Sequence, residues 1–156
     1  MGMSVKLFSY LRDRGVDYEE VRHAREVSAS RIAEKVHITG DRLAKAVLVK
    51  GDSGFRIAVV PSTCKVDLAS LSHMLDERIG LATEEEIESR FWDCDSGALP
   101  PLGEPYGVKV CVDGTLATQP EIWFEAGDHR TLVHMSGEDF ANLMGEAEHG
   151  HIARHM

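Results

Sequence analysis

The stretch that most constrains the fold is Leu43-Ala-Lys-Ala-Val-Leu-Val-Lys50, followed by Gly51-Asp-Ser-Gly54 and then Phe55-Arg-Ile-Ala-Val-Val60, closed by Pro61. Two β-rich runs around a Gly/Asp/Ser turn read as an antiparallel hairpin, and their near-continuous apolar character places it centrally in a sheet. Lys45 is the exception. It opens the first strand between Ala44 and Ala46, whose small side chains leave space around it. Its ammonium either projects into a cleft as a clamp for a carbonyl or phosphate oxygen, or snorkels to water from a strand end.

The other elements arrange themselves around this hairpin. Residues 3–14 place Val5, Leu7, Phe8 and Leu11 on one helical face, and Gly15 is a natural stop. Residues 16–23 alternate as an edge strand, and Ser28 or Ser30 opens a helix through Ile32, Ala33 and Val36. Asp67 caps a helix carrying Leu68, Leu71 and Leu75, and Thr83-Glu-Glu-Glu86 is a capping box for a helix ending near Phe91-Trp92. Strands are expected at 106–112, 121–126 and 131–135, with a turn or helical start at Asp113-Gly114 and a turn at Gly127 to Arg130. Ser136 caps a last helix. The order predicts one α+β domain over residues 1–146, with a mostly antiparallel or mixed, barrel-like central sheet and helices packed around it. Residues 147–156 read as a flexible, His-containing tail. There is no GxGxxG, P-loop, GxSxG or HExxH pattern.

Composition narrows the function. The longest apolar runs are far too short to span a bilayer, and the first residues lack a signal-peptide core, so a soluble cytoplasmic protein is expected. Cys64, Cys94 and Cys111 are odd in number and lack CxxC spacing, which suits reduced, inert thiols rather than a disulfide or zinc framework. The net charge of −9 argues against broad phosphate-backbone binding, as to DNA. The charge is uneven: residues 1–65 carry 12 Lys and Arg against 8 Asp and Glu, and residues 66–156 carry 5 against 18. A polyanion should therefore approach the N-terminal half.

Three further features can carry chemistry. Asp95 to Pro105 holds two glycines and three prolines, a stiff loop whose Gly97 and Gly103 let backbone N–H groups approach a ligand, or else an ordinary connection. His129, between Asp128 and Arg130, is a donor or base, or a surface-turn histidine. Asp93 and Asp95 flank Cys94 as an acid–base pair or a solvated acidic edge. His149, His151 and His155 offer at most a weak metal site on a frayed tail.

Taken in order, the strand led by Leu43-Ala-Lys45-Ala-Val-Leu-Val, the Gly-x-x-x-Pro-x-Gly loop from Gly97 to Gly103, and Ala126-Gly-Asp-His-Arg-Thr-Leu132 before a capped helix resemble the YbaK/prolyl-tRNA-synthetase editing-domain family over about residues 5–145. The resemblance implies a metal-independent, cofactor-free aminoacyl-tRNA deacylase acting in trans on a mischarged small amino acid such as alanine, serine, threonine or cysteine. It makes Lys45, Gly97 and His129 the catalytic groups, and Ala46, Ser96, Ala98, Leu99, Pro100, Pro101 and Gly103 the substrate pocket. Ala46 departs from the more polar residue some members place after the lysine. The implied partners are the tRNA acceptor end and an aminoacyl-tRNA synthetase, and the basic half offers Arg31, Lys35, Arg42 and Lys50 as tRNA contacts. The alternative is a non-catalytic module that binds the aminoacyl-tRNA 3′ end or a synthetase. A hydrolase using Cys94 is a third, weaker option.

Overall fold

Ser4 starts the first helix by accepting a hydrogen bond from the Leu7 N–H, and Gly15 follows the helix end at φ 64°. The computed structural model describes residues 3–25, 29–95 and 97–156. In chain order its elements are α1 (Val5–Asp13), β1 (Glu19–Arg22), α2 (Ala29–Lys35), β2 (Leu43–Gly51), β3 (Gly54–Pro61), β4 (Cys64–Val66) and α3 (Leu68–Leu75). These are followed by β5 (Gly80–Leu81), α4 (Glu84–Arg90), β6 (Lys109–Asp113), β7 (Glu121–Glu125), β8 (Thr131–Ser136), α5 (Gly137–Leu143), β9 (Glu148–Gly150) and β10 (Ala153–His155). The caps expected of Asp67, Thr83 and Ser136 form: each side chain accepts from a backbone N–H three residues on, and Thr83 with Glu86 completes the reciprocal box. Ser28 lies outside the described residues.

The main sheet runs β1-β8-β7-β2-β3-β6-β9, with β5 on the same edge of β2 as β7. The hairpin β2–β3 sits at its centre, paired from Ala44↔Pro61 to Gly51↔Gly54. The sheet is mixed, because β2–β7, β3–β6 and β6–β9 are parallel while the other pairs are antiparallel. This is the α+β architecture with a mixed central sheet that the hairpins and caps predict.

Side chains alternate across the sheet, so each strand feeds two cores. Ala44, Leu48, Ile57, Val59, Val112, Ile122, Phe124 and Val133 pack on one face against Leu7 and Leu11 of α1, Phe140 of α5 and the loop residues Leu99 and Leu102. On the opposite face, Val49, Ala58, Val60 and Cys111 meet Leu71 of α3 and Ile152, and Leu43 and Leu132 meet Ile32 and Ala33 of α2. Burial at roughly 25 cal/mol per Å² of apolar surface on both faces is what holds the layers together.

Two expectations are corrected. The strand expected from residue 106 begins at Lys109, because Glu104–Tyr106 forms a 3-10 turn that ends on Gly107 in the left-handed region. The C-terminal segment is not a free tail. β9 pairs with β6, and β10 pairs with β4 in a separate two-stranded ladder. Between them Ile152 is fully buried, and its N–H and that of Ala153 both donate to Asp113 Oδ1.

Candidate active site

A notch opens in the main sheet where β2 and β7 part. The parallel pair is joined only at Leu43↔Trp123 and Ala44↔Phe124, and β5 takes up the same edge again only from Val49↔Leu81. Between these contacts, among the described residues, no strand pairs with this edge of β2 at residues 45–47, so the edge presents backbone polar groups at the mouth of the opening.

Alternation puts Lys45 and Glu125, each one residue past the last paired positions Ala44 and Phe124, on the α2 face of the sheet. Lys45 is half-buried, and its Nζ donates to the Cys64 carbonyl oxygen at 2.5 Å. Burial pushes its ammonium below the ordinary lysine range, partly opposed by the Cys64 side chain. Lys45 is therefore anchored through β4 and does not simply snorkel to water.

His129 and Gly97 close the other side. His129 is 2% exposed and stands at φ 57°, a left-handed conformation that costs a non-glycine residue on the order of 1 kcal/mol or more and recurs at functional sites. Asp128 holds the turn by accepting from the N–H groups of Arg130 and Thr131 and from the Thr131 hydroxyl. The Asp95 N–H donates to the Gly127 carbonyl at 2.7 Å, and Gly97, at φ 85°, lies against the imidazole: a Cβ there would be 3.4 Å from His129 Cε1. His129 Nδ1 is 3.4 Å from Glu125 Oε2. Glu125 is 7% exposed; burial, reinforced by the Asp128 charge, raises its pKa to about 8, so it is mostly protonated at neutral pH. The sequence reading missed Glu125, whose only signal is a carboxylate ending the apolar run Glu121-Ile-Trp-Phe-Glu125.

The other expected residues scatter. Ala46 lies beside the notch on the opposite face, packed with the main core. Ala98, Leu99, Pro100, Pro101 and Gly103 are all buried, and Leu99 belongs to that core. Gly103 is set by packing, since a Cβ there would overlap the Val108 carbonyl oxygen. Ser96 and the Lys35 side chain lie outside the described residues. Arg42 pairs with Glu121 at 3.2 Å and Lys50 with Glu86 at 2.6 Å, at opposite ends of β2, roughly 25 Å apart at strand rise. They are not one patch with the exposed Arg31 on α2.

Burial pushes the Cys94 thiol up to about 12, which disfavours the thiolate that a nucleophile needs, and it sits beside Asp93 and Tyr106, which hydrogen-bond each other and Ser4. Asp93 thus ties α1 to the segment after α4 and is neither an acid–base partner of Asp95 nor a solvated edge. Among the described residues, no group of three or more His, Cys, Asp or Glu is arranged to hold a metal ion. No helix there is long and apolar enough to cross a membrane.

Residues 23–143, which include Lys45, Gly97, Glu125 and His129, match the family described as "Aminoacyl-tRNA editing domain". The chain belongs to the aminoacyl-tRNA editing domain family. A proline–tRNA ligase of Kosmotoga olearia is 26% identical over 107 residues, which are 68% of this chain but only 18% of that ligase. The editing-domain fold recurs in a crystal structure described as a trans-editing enzyme for prolyl-tRNA synthetase, at TM-score 0.85 and 21% identity, covering 97% of this chain and 96% of the other. A hypothetical protein has it as well, at TM-score 0.85 and 16% identity, with 96% and 99% coverage. β9 and β10 lie beyond the span that matches the editing family, although the two structural relatives cover nearly the whole chain.

Proposed function

We propose that this editing-family chain is an aminoacyl-tRNA deacylase acting in trans, hydrolysing the ester between a wrongly attached small amino acid, of the alanine, serine, threonine or cysteine class, and its tRNA. The observation that carries the reading is the buried turn in which His129 meets Glu125 and Gly97, following a strand of the same sheet that carries Lys45, within the family-matched span.

An aminoacyl ester is already activated, so positioning and oxyanion stabilisation suffice without a protein nucleophile. Water adds to the ester carbon, the bond to the ribose oxygen breaks, and the proton lost by the water ends on that oxygen. In this scheme the Lys45 ammonium and the Gly97 N–H stabilise the carbonyl oxygen as it gains charge. His129 handles the proton, and the protonated Glu125 behind it acts as a positioning residue through the imidazole. A separate site of limited size is a sensible place for such discrimination, because one methylene is worth only about 1–3 kcal/mol in a single binding step. The partners proposed are the tRNA acceptor end and, through it, a synthetase; the reaction as written needs no cofactor or metal.

The test is hydrolysis of tRNAs charged in turn with alanine, serine, threonine, cysteine and proline, with and without a chelator. Turnover of one or two of these that survives chelation is expected. Binding of charged tRNA with no turnover of any would replace the enzyme by a binding module.

A further inference from the structure

We infer that Asp93 is a positioning residue of the candidate site, acting through His129: it gathers the groups against which the His129 turn is held. The inference rests on the deacylase reading for what the site does, and on the hydrogen bonds around Asp93 for the rest. Asp93 Oδ2 accepts from the Ser4 hydroxyl at 2.6 Å and from the Lys6 N–H at 3.1 Å, and its Oδ1 accepts from the Tyr106 hydroxyl at 2.8 Å. Ser4 and Tyr106 are both buried, and their hydroxyl oxygens lie 2.6 Å apart. The Tyr106 ring packs on Phe91 with 4.3 Å between centroids, so its hydroxyl is a fixed donor. Burial by itself would raise the Asp93 carboxyl, but the hydrogen bonds from Ser4, the Lys6 N–H and Tyr106 hold it below the ordinary aspartate range, so it is an ionised acceptor at neutral pH. One carboxylate thus draws together the start of α1, the segment after α4 and the turn before β6.

What it draws together is the bed of the turn. The Ser4 N–H donates to the Ala126 carbonyl at 2.8 Å, and the Asp95 N–H, two residues beyond Asp93, donates to the Gly127 carbonyl at 2.7 Å. These two carbonyls lead into the turn in which His129 stands at φ 57°. Gly127, at φ 109°, packs directly on the same groups: a Cβ there would lie 3.2 Å from Ser4 Cβ and 3.3 Å from Cys94 Sγ. Asp128 secures the far half of the turn through the N–H groups of Arg130 and Thr131, and the near half is met by Ser4 and Asp95. A left-handed residue keeps its conformation only where its surroundings over-determine it, and here the over-determination passes through Asp93. Without its charge, Ser4 and Tyr106 lose their common acceptor, the network is left partly satisfied, and the bed of the turn can shift.

The experiment pairs histidine NMR with hydrolysis rates for Asp93→Asn and the milder Tyr106→Phe, with melting curves to establish that each is folded at the assay temperature. With no tRNA present, the ring resonances of His129, assigned by their loss in His129→Gln, should shift in both variants. In hydrolysis of the panel's best charged tRNA, Asp93→Asn should lower kcat by about tenfold and leave KM within about twofold, because a misplaced catalytic group costs rate more than binding. The same substitution made in His129→Gln should lower the residual kcat by less than about twofold, since the group it positions is gone. A merely structural role would lower kcat alike in the two backgrounds. His129 resonances unmoved in both variants, equal losses in the two backgrounds, or a wild-type kcat in Asp93→Asn would overturn the assignment. If the wild type hydrolyses no charged tRNA, the deacylase reading falls, and the resonances alone decide whether Asp93 positions His129.

Discussion

At the scale of single residues, Glu125 gives the sharpest pH prediction. Its pKa rises from 4.5 to about 8 on folding, so between those values the folded state binds more protons than the unfolded state, and stability falls as pH rises through that window. Glu125→Gln should therefore gain stability over the wild type progressively from about pH 4.5 to 8, by on the order of a few kcal/mol above it, and match the wild type below. Chemical denaturation at a series of pH values checks this. The same substitution should remove an alkaline limb near pH 8 from the deacylation rate, which a purely structural role would not do. Glycines separate packing from site geometry. Gly103→Ala should destabilise by roughly 2 kcal/mol or more, because its Cβ meets the Val108 carbonyl, whereas Gly97→Ala should cost about 1 kcal/mol of backbone strain and lose activity disproportionately. Melting curves alongside hydrolysis rates distinguish the two.

At the scale of elements, much of the fold is legible in the sequence because its signals are local. The β2–β3 hairpin, the caps at Asp67, Thr83 and Ser136, and the helix around Leu7 and Leu11 each declare themselves within about twenty residues or fewer. The elements that the sequence hides are held by distant partners. β4, β9 and β10 are three residues each, too short to show a periodicity, and become strands only because a distant partner, β6 for β9 and β4 and β10 for each other, is brought alongside. The site shows the same division. Lys45 stands out as a charge in an apolar strand, but its anchorage on the Cys64 carbonyl depends on β4, and Glu125 is buried beside His129 only through the turn that joins β7 to β8. Arg42 and Lys50 look equivalent in sequence, and the strand between them carries them apart. If the C-terminal strands are structural, Ile152→Ala should lose about 2–5 kcal/mol in urea unfolding, and a loss below about 0.5 kcal/mol would return the segment to the status of a tail.

At the scale of the molecule, the proposed deacylase, an acidic chain of net charge −9, should grip only the end of a tRNA. The salt dependence of tRNA binding should correspond to a few neutralised phosphates at most, and a slope equivalent to roughly six or more would contradict this reading. The architecture is consistent with this: apolar clusters cover both faces of the central sheet, while β2 parts from β7 after Ala44↔Phe124. Lys45 is the half-buried cation of the central strand, held on the Cys64 carbonyl. The most direct test is therefore the rate at which wild type and Lys45→Ala hydrolyse the panel's best charged tRNA, with melting temperatures recorded for both. A loss of at least about 100-fold in kcat, with the fold intact, is the predicted result. A Lys45→Ala variant that hydrolyses the same tRNA at the wild-type rate would contradict the account.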